Sequence, residues 1–165
     1  MSAAFLVLSM ATSVCPVMAA VRIEHDEQQG TLSVYRANSQ QLLLRQNAKP
    51  GFRPFIHPLM APDGQGVLTE ASPEHHPHQT GLYWGFTRVN GRDYFHHPQS
   101  DYWRRVSATV LHGKDGAASD SVQWQTVYDL LDEQGRVVLT ETQIWTLHEE
   151  GGQYVLDLQW TGEAK

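Results

Sequence analysis

Over residues 121–131 and again over 154–160 the chain alternates side chains with a period of two, and this pattern limits what it can fold into. Val122, Trp124, Thr126, Tyr128 and Leu130 share one side of an extended backbone, because successive strand side chains point to opposite faces. Asp132-Glu133-Gln134-Gly135 then supplies a turn, and residues 136–147 read as the next strand. Glu149-Glu150-Gly151-Gly152 turns again, and Tyr154, Leu156, Leu158 and Trp160 alternate along a last strand. Glycine and aspartate at such positions favour hairpin connections. With residues 106–112 ahead of them, these strands predict an antiparallel meander. Shorter alternating runs at Val21–Asp26, Thr31–Arg36 and residues 41–45 predict further strands, and no stretch combines a helical period with caps. The expected fold is all-β, an antiparallel β-sandwich. The last strand runs almost to Lys165 and leaves an uncovered edge, so the domain is expected to be incomplete at its C-terminus.

Residues 1–20 are of a different character. They carry no charge, their apolar stretch is too short to span a bilayer, and Val17 and Ala19 fit the small-residue positions before a cleavage site. They read as a signal peptide, which predicts a secreted or periplasmic protein whose mature domain spans residues 21–165. A lipoprotein signal fits less well, since Val14 rather than a small residue precedes Cys15. Cys15 is the only cysteine, so its removal would exclude thiolate catalysis, cysteine metal sites and disulfides. No later stretch approaches transmembrane length, so no membrane partner is expected after cleavage. The net charge of -6, with 18 acidic against 12 basic residues, argues against nucleic acid as a partner.

The chemistry is expected between residues 51 and 101, where alternation stops. Six of the nine histidines fall there (His57, His75, His76, His78, His96 and His97), in loops broken by prolines. His76-Pro77-His78 is the sharpest element: residues two apart on an extended backbone face one way, and proline stiffens the link. Two such imidazoles could bind a metal, hold a polyol or exchange protons near neutral pH, although an exposed His-rich loop without a role has the same sequence. His57, between Pro and aromatic neighbours, reads equally as a core residue. Arg53 suits a carboxylate or phosphate, or a salt bridge to Asp63 or Asp93. Tyr83 and Trp84 offer rings that could stack on a sugar, within a predicted strand over residues 81–89 that would bury one of them. Asn90-Gly91 reads first as a hairpin turn. His96 and His97, being adjacent, point to opposite faces and cannot both serve one site. No nucleophile elbow, P-loop, dinucleotide fingerprint or HExxH motif is present.

Three segments in order, Arg53-Pro-Phe-Ile-His57-Pro-Leu-Met-Ala-Pro62-Asp-Gly64, Pro73-Glu-His-His76-Pro-His78-Gln-Thr-Gly81-Leu and Val89-Asn-Gly91-Arg-Asp93-Tyr-Phe, resemble a family of secreted bacterial proteins labelled "methane oxygenase PmoA" or simply a domain of unknown function. The family pattern reads R-P-Y-x-H-P, A-P-D-G, D-H-P-H-H-x-G-L and V-N-G-x-D-F-W, and the resemblance covers residues 21–165. His75 stands where the family has Asp, and Gln79 where it has the second His of the pair, which puts an altered specificity in view. A subunit of a membrane methane monooxygenase needs several transmembrane helices, and this sequence has no stretch for them after residue 20. The resemblance implies instead a β-sandwich similar to the galactose-mutarotase-like supersandwich, acting on carbohydrate. It implies a site of His57, His76 and His78 with Arg53 and Asp93 beside it, and a carboxylate base from later in the chain.

Three readings follow. In the first, the protein binds or modifies a carbohydrate, with His57, His76 and His78 as catalytic groups and Arg53, Trp84, Asn90 and Asp93 as substrate contacts, and no cofactor. In the second, His57, His76 and His78 hold a divalent transition metal such as zinc. In the third, the domain is a non-catalytic carbohydrate-binding module.

Overall fold

A computed structural model of the chain describes residues 20–113 and 116–165. The signal peptide expected over residues 1–20 therefore lies almost wholly outside the described residues. Eight strands form: β1 (Val21–Asp26), β2 (Thr31–Arg36), β3 (Leu42–Asn47), β4 (Phe55–Leu59), β5 (Trp103–His112), β6 (Ser121–Leu131), β7 (Val137–Glu150) and β8 (Gln153–Ala164). They make two antiparallel four-stranded sheets, ordered β1-β2-β3-β4 and β5-β6-β7-β8, and each is a simple meander. Among the described residues no helix is long and apolar enough to cross a membrane.

The all-β sandwich expected from the alternation is what forms, and its interior comes from the predicted faces. Val122, Trp124, Thr126, Tyr128 and Leu130 all point inward from β6. One core joins the sheets: Val21, Ile23, Leu32, Val34 and Ile56 from the first pack with Val122, Trp124, Trp145 and Leu147 from the second. Each such side chain contributes roughly 1.5–3 kcal/mol through removal from water. Trp124 stands opposite Trp145 in the ladder, and their rings stack with centroids 6.4 Å apart. The Trp124 indole N–H also crosses between sheets, donating to Gln46 Oε1 at 3.2 Å. At the β7–β8 turn Gly151 (φ 60°) and Gly152 (φ 79°) supply the two left-handed residues that a tight hairpin needs.

Two local expectations change. Within the stretch from residue 51 read as Pro-broken loops lies β4, which pairs with β3 through Gln46↔Ile56 and Asn47↔Phe55. Pro58 is tolerated because β4 is an edge strand. Residues 81–89 form no strand. Their chain crosses β4 so closely that a Cβ at Gly81 would stand 2.3 Å from the Ile56 carbonyl oxygen; Leu82 alone among them pairs with β4, exchanging two hydrogen bonds with Ile56 at 2.8 and 3.0 Å, and Val89 bridges only to Arg92 across the Asn90-Gly91 turn. The long connection from β4 to β5 is nevertheless fixed to the second sheet. Tyr94 is buried with Trp103, Tyr128 and Leu130, and its hydroxyl donates to the Leu131 carbonyl at 2.8 Å. The Trp103 indole donates to the His97 carbonyl at 3.1 Å.

Because Trp124 carries both the ring stack and the bond between sheets, Trp124→Ala is expected to lower stability by about 3–5 kcal/mol in urea unfolding. Gln159→Ala on the outer face of β8 is expected to change it by less than about 0.5 kcal/mol.

Candidate functional site

The long connection is organised around one guanidinium. Arg53 is wholly buried. Its Nη2 donates to the His78 carbonyl at 2.8 Å and to Thr80 Oγ1 at 3.3 Å. Its Nη1 reaches the Tyr94 carbonyl at 3.5 Å and also donates to the Phe95 carbonyl. The Tyr83 ring lies against the guanidinium, 3.4 Å from Cζ to centroid, a cation–π contact. Burial pulls the Arg53 pKa down to about 10, which still leaves a cation at neutral pH. Its Nη groups therefore face loop carbonyls and the Thr80 hydroxyl rather than Asp63, Asp93 or solvent. It joins the loop that carries His78 to the loop that carries His96.

The joined loops bring four imidazoles into a row. Ring centroids are 4.8 Å apart for His75–His76, 5.8 Å for His76–His78 and 4.5 Å for His78–His96. His96 ends the row on a carboxylate, with Nδ1 2.7 Å from Asp93 Oδ2. Asp93 is held in turn by the backbone N–H groups of Phe95 and His96 at 3.0 and 3.1 Å. Partial burial opposes ionisation of Asp93, but these donors and the His96 ring hold its pKa below the ordinary carboxylate value. An ionised Asp93 can only accept, so His96 Nδ1–H donates to it and Nε2 is the ring nitrogen left for other partners. The pKa of His78 is lowered by partial burial first, then by His96, His76 and Arg53, which favours a neutral ring able to accept a proton.

The sequence brought forward His76 and His78, which the fold does bring together. It separated His96 from His97 correctly: His97 turns away and stacks on Tyr102 at 4.7 Å and 12°. It missed His96 as the partner of Asp93, although Asp93-x-x-His96 just after the Asn90-Gly91 turn was a readable signal. His57 stands apart from the row, with Nδ1 2.9 Å from Thr69 Oγ1. Thr69 lines an open groove of about 490 Å³ with Glu70, Gln79, Tyr83 and Phe95, and Phe95 also contacts the His78 ring at 5.6 Å. Asn90 forms the expected hairpin turn, with φ 51° followed by Gly91 at 85°, and lines a different depression of about 350 Å³ with Asp132, Gln134 and Val138. A larger depression, about 700 Å³, lies on the first sheet beside Ser33, Tyr35 and Arg45, without any of the four row histidines. Among the described residues no three His, Cys, Asp or Glu side chains are grouped to hold a metal ion.

Trp84 lies on the other side of its segment from Tyr83 and is 44% exposed. Its ring packs on Trp160 of β8, 5.8 Å and 35° away, with Phe86 at the edge of both. Beneath them Glu141 of β7 is fully buried. It accepts from Gln143 Nε2 at 2.8 Å and Trp160 Nε1 at 3.1 Å. Burial pushes its pKa up to about 7 against these donors and the field of Arg53.

The folded state thus holds a proton on Glu141 that the unfolded chain releases at lower pH. The stabilisation is complete below the ordinary glutamate range and is lost as pH rises through about 7. Comparing urea unfolding near pH 4 and pH 8, Glu141→Gln is expected to gain about 3 kcal/mol on the wild type across that interval. An unchanged difference between the two proteins would remove this titration. Arg53→Lys, which keeps the charge but not the planar fork, is expected to open residues 76–96 to limited proteolysis while the sheets stay protected.

Neither a curated protein nor a solved structure matches the chain. Over residues 20–165 it matches the profile described as "Family of unknown function (DUF6807)", and it belongs to that family.

Proposed function

We propose that this protein binds a carbohydrate at the groove beside the imidazole row and moves protons on it, with His96 as the base and His78 as its partner. The observation that carries this reading is the Asp93–His96–His78 arrangement: a carboxylate 2.7 Å from one imidazole and a second imidazole 4.5 Å beyond, centre to centre. A carboxylate that orients an imidazole is a recurrent way to ready a general base. The groove adds what a sugar needs: the Tyr83 and Phe95 rings for its apolar face and Gln79, Thr69 and Glu70 for its hydroxyls. Within this reading His76 flanks the acid–base pair, His57 supports the groove wall through Thr69, and Arg53 positions both loops. Trp84 is the second stacking surface. Asn90, in its separate depression, would meet only a longer ligand. The PmoA-like resemblance and the character of residues 1–20 favour the same setting, outside the cytoplasm, where glycans are met.

The test is exchange of sugar anomers, followed by two-dimensional NMR on aldoses, alongside calorimetric binding of the same sugars. The wild type is expected to accelerate exchange. His96→Ala is expected to reduce the rate about 10²–10⁴-fold, and Asp93→Asn is expected to reduce it while binding persists. Binding without acceleration would leave a carbohydrate-binding module, and the absence of both would overturn the reading. EDTA treatment is expected to change neither measurement; loss of activity restored by zinc would favour metal-assisted chemistry instead.

A further inference from the structure

On the interior face of the second sheet, one patch is polar where its neighbours are apolar. Glu141 stands opposite Tyr128 of β6 and Gly162 of β8, and Gln143 stands opposite Thr126 and Trp160. Glu141 and Gln143 are both buried. They link two indoles: Trp145 Nε1 donates to Gln143 Oε1 at 3.0 Å, Gln143 Nε2 donates to Glu141 Oε1, and Trp160 Nε1 donates to Glu141 Oε2. Among the described residues no cation is bonded to this carboxyl. Of the groups that influence it, Arg53 turns its Nη atoms to loop carbonyls, and the Tyr128 phenol, held neutral by burial, donates to the Lys49 carbonyl. Gly162 leaves the space the indole uses: a Cβ there would stand 2.3 Å from the Trp160 ring.

An ionised carboxyl can satisfy both neighbours, since it only accepts and each neighbour donates. A protonated one does so less well, because its hydroxyl oxygen carries a donor of its own and is the weaker acceptor. A proton on Oε2 faces the Trp160 N–H, whereas a proton on Oε1 forces the Gln143 amide to turn and takes the acceptor from Trp145. We propose that Glu141 is a proton-linked anchor for the aromatic wall: ionised, it fixes Trp160 and through it Trp84, and protonation at Oε2 releases both. Burial without a bonded cation places that change near neutral pH, where the carboxyl titrates at about 7. The wall is therefore fixed above neutrality and loosened below it. As a control on sugar stacking at Trp84 the inference rests on the carbohydrate reading; as a switch it rests on the polar patch alone.

The full-length protein, labelled with nitrogen-15, gives one indole N–H signal per tryptophan, assigned through Trp160→Phe and Trp145→Phe. Between about pH 5.5 and 8.5 the Trp160 signal is expected to shift with a single midpoint near 7. The shift should vanish in Glu141→Gln and persist in a His78→Ala/His96→Ala variant. A static Trp160 signal, a shift that survives Glu141→Gln or disappears with the histidines, or movement of Trp145 in place of Trp160 would each overturn the proposal. Should Glu141→Gln not fold, Trp160→Phe serves in its place. Removing a donor to the charged form must raise the Glu141 titration read from its carboxyl carbon, and an unmoved titration would sink the link. In parallel, methyl glucoside and methyl galactoside are titrated near pH 6 and pH 8. About tenfold weaker binding at the lower pH is expected in the wild type and flat affinity in Glu141→Gln. If neither sugar binds while the indole still titrates, the carbohydrate reading falls and the switch stands.

Discussion

Burying a guanidinium costs several kcal/mol unless its donors find acceptors, and the Nη groups of Arg53 meet most of that demand with the backbone of the two loops that carry the imidazoles, while its Nε has no partner among the described residues. The carbonyls of His78, Tyr94 and Phe95 and the Thr80 hydroxyl all converge on it. Each loop by itself is short of regular structure and would have little to hold one conformation. Sharing a rigid planar fork fixes their relative position, and the 4.5 Å approach of His78 to His96 follows from that. Tyr83, lying on the guanidinium face, aligns the segment that carries Trp84 to the same centre. A lysine could supply charge here but not several divergent donors in one plane.

The sandwich beneath is built in two unlike halves. Near the β1 end, aliphatic side chains and the Trp124–Trp145 stack fill the space between the sheets. Toward the loops the interior face of β7 turns polar, with Gln143 and Glu141 fully covered. Such groups weaken a core unless every donor and acceptor is matched. Here the matching uses indole N–H groups, so the polar patch and the aromatic side chains are one construction. Removing either half would leave the other with unpaired groups in the interior.

What the sequence showed was set by local chemistry. The faces of β6 and β8 were legible because alternation and Gly-bearing turns act over a few residues. On β7 both faces mix polar and apolar residues, so nothing local said that Glu141 and Gln143 point inward. β4 was hidden by Pro54 and Pro58, which read as loop until β3 is there to pair with it. Residues 81–89 alternated well enough to suggest a strand, and the crossing at Gly81 against the Ile56 carbonyl prevented it. Within the site, His76 and His78 were visible as a local pair. The role of Arg53 depends on carbonyls more than twenty residues away, which no spacing rule reports.

The row of imidazoles shows how closely spaced titratable rings can take different parts. His78 is pressed toward its neutral form by partial burial, by the rings on either side and by Arg53. His96 alone among the four bonds a carboxylate, and Asp93 is kept ionised by two backbone N–H groups that exist only because the chain turns there. The asymmetry therefore comes from backbone geometry around residues 93–96 more than from the imidazoles themselves. Shifting His96 by one position would exchange it with His97, whose ring stacks on Tyr102 instead. The chemistry available to the row is thus decided by the turn that aims Asp93, and its place over the groove by the arginine that holds the two loops together.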